Sequence, residues 1–81
     1  MTHRTRRART ERILVARLEE LARALALSGV PQESIARLLE SASVATTNAV
    51  ALNLISADAA TEIWREAETR HPQIVRLRRA A

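Results

Sequence analysis

The chain has 81 residues, 47% of them hydrophobic and 27% charged, with thirteen arginines, no lysine and a net charge of +4. That length holds one domain at most. The absence of cysteine excludes a disulfide framework and thiol chemistry, and a single glycine leaves no material for a Gly-rich phosphate loop. The hydrophobic content is almost wholly Ala, Leu, Ile and Val, with one Gly and two Pro, so the expected class is all-α. A domain this small buries a modest core, and with no covalent staple the expected architecture is a three- to four-helix bundle completed by self-association.

Charge is unevenly distributed. Residues 1–12 hold five arginines against one glutamate, residues 72–81 hold three arginines, and residues 13–71 sum to −3. Residues 1–8 read as a flexible arginine-rich arm. The first apolar run, Ile13 to Ala16, stops at Arg17, too soon for a signal peptide, so the expected location is cytoplasmic.

From about residue 9 to 27, Leu14, Leu18, Leu21 and Leu25 recur at spacings of four, three and four, which predicts an amphipathic helix with a coiled-coil-like seam. "SGVP" then ends it, Gly29 supplying a left-handed residue and Pro31 suiting the first turn of the next helix. That helix, 31–41, has its stripe at Ile35, Leu38, Leu39 and Ala42.

Residues 41–57, "SASVATTNAVALNLISA", contain no charge. Carried forward at 100° per residue, the stripe of the preceding helix emerges opposite Val44, Asn48 and Ile55. A break near Ser41 to Ser43 is therefore expected, with Ser43 as N-cap of a helix over 44–56. Apolar over more than half its circumference, that helix reads as the central one of the bundle. It is not a membrane span, since seven of the seventeen residues are Ser, Thr or Asn. Helix 58–71 follows, with a stripe at Ala60, Ile63, Trp64 and Ala67, capped by Asp58 and stopped by Pro72, and it is either separate from its predecessor or continuous with it. The tail 72–81 has Ile74, Val75 and Leu77 beside three arginines and either docks or stays loose.

Three motifs carry the functional expectations. The arm "THRTRRARTER" resembles the basic arms with which small helical proteins grip nucleic acid, each guanidinium forking two hydrogen bonds onto phosphate. The expected contacts are Arg4, Arg6, Arg7, Arg9 and Arg12, joined by Arg76, Arg78 and Arg79 of the tail. "QESIARLLESASVATTNAVAL", residues 32–52, resembles a helix-turn-helix unit, with Ile35, Ala36 and Leu39 at packing positions and "ESAS" where the turn would stand. Glu68 and His71 form an E-x-x-H, the spacing that puts two metal ligands on one helix face in ferritin-like bundles. A histidine complementing the helix C-terminus is the preferred account of that pair, and no metal or cofactor is expected.

No nucleophile and base recur at helical spacing. The chain reads as a non-catalytic helical homo-oligomer, and as a regulator, that binds an acidic partner, nucleic acid before an acidic protein, through its arginine-rich ends. The alternative is an adaptor or structural module whose helices pack on another protein while solvated tails keep it dissolved. In either case the expected oligomer interface is Leu14, Leu18, Leu21, Leu25, Asn48, Leu52 and Ile55.

Overall fold

The computed structural model describes residues 3–80, with side chains from residue 6 onward. They form four helices: α1 (His3–Ala26), α2 (Gln32–Ala51), α3 (Ala57–Arg70) and α4 (Pro72–Ala80). The expected all-α bundle is the fold. At 24 residues α1 is about 36 Å long, and it dominates a body measuring 43 × 20 × 18 Å.

α1 forms the wall on which the others lean, touching α2, α3 and α4. The Arg17 guanidinium donates to the Ser41 hydroxyl at 2.6 Å, Leu14 clusters with Ala49, and Leu25 lies beside Ile35, so α1 and α2 run antiparallel. α3 turns back alongside α1: Ala60 packs near Leu14, and Ala67 near Leu18 and Leu21. α4 then covers the end where α1 finishes and α2 begins. Its Ile74 is fully buried against Leu18 and Leu21, and Leu77 meets Leu25, Ile35 and Leu39.

Each helix end has a local cause. Gly29 takes φ 87, a left-handed conformation that costs glycine nothing. Pro31, extended at φ −60 and ψ 145, is the N-cap of α2 rather than its first helical residue, and Glu33 follows in the first turn. α2 stops in a Schellman motif: Asn53 sits at φ 57, its N–H donates to the Val50 carbonyl, and the Leu54 N–H donates to that of Ala49. The N-cap of α3 is Ser56, whose hydroxyl accepts from the Ala59 N–H at 3.0 Å, so Asp58 stands in the first turn instead of capping it. Pro72 opens α4, where its missing N–H costs nothing.

Two expectations about the middle of the chain are overturned. α2 is unbroken from Gln32 to Ala51, with no turn at residues 41–43 and Ser43 inside the helix. The buried stripe keeps its phase by passing through small residues, Ala42, Ala45, Thr46 and Ala49, while Val44 and Asn48 face water. The break lies at residues 52–56, and α3 is a separate helix. The uncharged segment is consequently not central, because its outward side has no neighbour; the central helix is α1. The tail resolves in favour of docking.

Six of the twelve buried hydrophobic residues among those described are alanines. A methyl group contributes about 0.8 kcal/mol on burial against about 1.5–3 for a leucine, so Leu14, Leu18, Leu21, Ile55, Trp64 and Ile74 carry most of the core's gain.

Candidate nucleic-acid interface

The expected flexible arm is helical from His3 onward, and residues 1 and 2 lie outside the described part. Packing begins only at Thr10 and Leu14; Arg6, Arg7, Ala8 and Arg9 are exposed. Thr10 is buried and returns its hydroxyl to the Arg6 carbonyl at 3.0 Å, which keeps a side chain at the rim of the core from carrying an unpaired donor.

Helix geometry arranges the arginines. Arg6, Arg9 and Arg12 follow one another at intervals of three, so they wind over about 120° of the helix, from the flank beside Thr10 to the side away from the core, and span about 9 Å along the axis. That rise corresponds to two or three phosphates at ~3.4 Å per step of one strand. Arg7 points the other way, toward the pocket formed by Asn53, Leu54, Ile55 and Ser56, and its Nε donates to Glu11 Oε1 at 3.0 Å. The side chain of Arg4 lies outside the described residues. α1 has no acidic residue in its first turn, so the positive end of its dipole coincides with the arginines.

The tail arginines stand elsewhere. α4 packs at the Leu25 end of α1, nineteen residues or about 28 Å along the axis from Arg6, so the two basic clusters are not one surface. Arg76 and Arg79 are exposed. Arg78 is exposed too, at 48%, but is engaged within the chain: its guanidinium lies over the Trp64 ring, 4.7 Å from the centroid, and donates to Glu68 Oε2 at 3.0 Å.

That contact also parts the E-x-x-H pair. Glu68 turns to Arg78, while His71 Nε2 lies 3.2 Å from Glu19 Oε2 on α1, with Arg70 3.7 Å from the other oxygen of the same carboxylate. The backbone N–H of His71 closes α3 by donating to Ala67. Glu68 and His71 therefore serve helix packing in different directions.

The expected oligomer interface is mostly core. Leu14, Leu18, Leu21 and Ile55 are buried within one chain, and Leu25 is half-buried against the same cluster. The docked tail supplies the missing cover, with Ile74 occupying the place assigned to a second chain. Asn48 and Leu52 alone of that set are exposed. The segment that resembles a helix-turn-helix unit is the continuous α2 followed by Leu52, without the turn that motif needs.

Sequence reasoning missed a polar cleft of about 400 Å³ lined by Ser43, Thr46, Thr61, Trp64, Arg65, Glu68 and Arg78. Its groups are largely paired with one another or with the backbone: Trp64 with Thr46, Thr61 with the Ala57 carbonyl, Arg65 with Glu62. Trp64 alone could have signalled it. The chain matches no known family model, no curated protein and no solved structure, so a functional reading rests on its own residues.

Proposed function

We propose that the chain is a non-catalytic nucleic-acid-binding protein that holds the phosphate backbone with the first turns of α1. One observation carries this reading: exposed Arg6, Arg9 and Arg12 wind around the N-terminal end of a helix that has no acid in its first turn. Within the chain that arrangement is repulsive, since a helix N-terminus bears about half a positive charge and favours anions. A phosphate backbone relieves it, accepting from the guanidinium forks and releasing its condensed counterions. Guanidiniums on phosphates carry no base readout, so binding of this kind depends on charge density more than on base sequence.

The test is a titration of labelled duplex DNA over a salt series, followed by fluorescence anisotropy. Affinity should fall steeply with salt, with a log–log slope of about −3 if three or four phosphates are neutralised. Deleting residues 1–9 removes Arg4, Arg6, Arg7 and Arg9 and should weaken binding at least about tenfold while helicity persists. No binding by the full chain at about 100 mM salt would refute the proposal and favour the adaptor reading. Binding unchanged by the deletion would move the contact to Arg76 and Arg79.

A further inference from the structure

The outward side of α2 has no neighbour in the fold and no charge over its second half. Val44 is 49% exposed and Leu52 69%, and Thr47, Asn48 and Ala51 between them are exposed as well. At 100° per residue these five occupy one side of the helix. Ile13 of α1, 47% exposed, adjoins them, because it lies one turn before Arg17, whose guanidinium reaches Ser41 on the same rim of α2. Three large aliphatic side chains thus share one wet face, on a molecule whose own core is half alanine.

We infer that this face docks a second copy of the chain, α2 against α2, antiparallel about a two-fold axis at Asn48. Its spacing is self-complementary. Val44 and Leu52 stand four residues on either side of Asn48, so rotation about Asn48 lays Val44 of each copy against Leu52 of the other, as an isologous interface requires. The residue on the axis carries a primary amide, which both donates and accepts and can therefore pair with its own symmetry image. A polar residue so placed fixes the register of paired helices.

Charge favours the same partner and the same direction. Before the uncharged window α2 carries Glu33, Arg37 and Glu40, net −1, and the adjoining part of α1 carries Arg17, Glu19, Glu20 and Arg23, which sum to zero. Just past the opposite end of α2, Arg7 of α1 lines a pocket with Asn53 and Ser56, and Arg6 and Arg9 are exposed on the neighbouring turns. Antiparallel docking brings the Glu40 end of each copy toward the arginine-bearing end of the other; a parallel pair would set arginines against arginines. The inference does not rest on nucleic-acid binding, and its test contains none.

Sedimentation equilibrium across micromolar concentrations should show a dimer that dissociates on dilution. Leu52→Glu and Val44→Glu, both at exposed positions, should each raise the dimer dissociation constant at least about tenfold, with the helical circular dichroism unchanged. Because the chain has no cysteine, Asn48→Cys gives a single thiol near the axis, and mild oxidation should link it into a covalent dimer. Glu66→Cys, on the outer side of α3, should link far more slowly. A natural chain that stays monomeric throughout overturns the inference, including the case in which some other protein binds this face. Dimers that survive both glutamate substitutions, or equal crosslinking of the Asn48→Cys and Glu66→Cys variants, overturn it as well.

Discussion

The indole N–H of Trp64 donates to the hydroxyl of Thr46 across 2.9 Å, and that hydroxyl donates in turn to the Ala42 carbonyl at 2.7 Å. With Arg78 stacked on the ring, three helices are tied together at the one aromatic residue of the chain. Thr46→Val keeps the side chain's shape but leaves the part-buried indole N–H without its protein acceptor, and should cost about 0.5–1.5 kcal/mol in urea unfolding. Trp64→Phe added to Thr46→Val should cost less than the sum of the two single changes, which a double-mutant cycle reads directly.

The alanine-rich core concentrates stability in few side chains. Leu21→Ala, at a fully buried position on α1 in the cluster that α2, α3 and α4 complete, should destabilise by about 2–5 kcal/mol, enough to unfold much of the population. Leu27→Ala removes the same atoms from a side chain that is 66% exposed and should stay within about 0.5 kcal/mol of the natural chain. Thermal denaturation of the pair decides whether the leucine seam serves the core of one chain.

The seam is legible in the sequence because large aliphatic residues at spacings of four, three and four line up on a single face of a helix and on nothing else. The buried side of α2 is not. Its stripe beyond Leu39 consists of Ala42, Ala45, Thr46 and Ala49, which look no more apolar than the exposed Val44 and Leu52 on the other side. Lack of charge suggests burial, but it distinguishes only faces that avoid ions from faces that carry them. The docking of the tail is hidden likewise, since Ile74 and Leu77 are separated by Arg76 and flanked by Arg78. Of the candidate interface, the arginines can be read and the helix that orders them cannot, since their spacing matches no apolar stripe.

The terminators between α2 and α3 are present in the sequence as Asn53 and Ser56, inside a stretch that looks continuous. Ser56→Ala removes the hydroxyl that accepts from Ala59 N–H and should cost about 0.5–2 kcal/mol. Asn53→Gly should be tolerated or slightly stabilising. Asn53→Val, with a β-branched side chain at φ 57, should destabilise by about 1–2 kcal/mol or more. Chemical denaturation of the three variants tests whether this corner depends on backbone conformation as the hydrogen bonds indicate.

Arg6→Glu separates folding from binding by sign. The substitution puts an acid near the positive end of α1, which should raise stability by about 0.3–1 kcal/mol at low salt. It also removes one phosphate contact, so affinity for duplex DNA should drop and the salt slope should shrink by about one or more. A variant that gained no stability and lost no affinity would mean that this turn of α1 has no electrostatic role.

Because α1 is the wall that every other helix touches, the long-range contacts of the chain converge on one helix. α2 folds back on α1 across a short turn, and α3 lies along the same surface. The most distant contacts come at the end of the chain: His71, closing α3, meets Glu19, fifty-two positions earlier, and the nine residues of α4 close the hydrophobic end over Leu18 and Leu21. Without α4 those two leucines would lie uncovered at that end, so a chain cut short after Arg70 should expose an apolar patch that the full bundle hides.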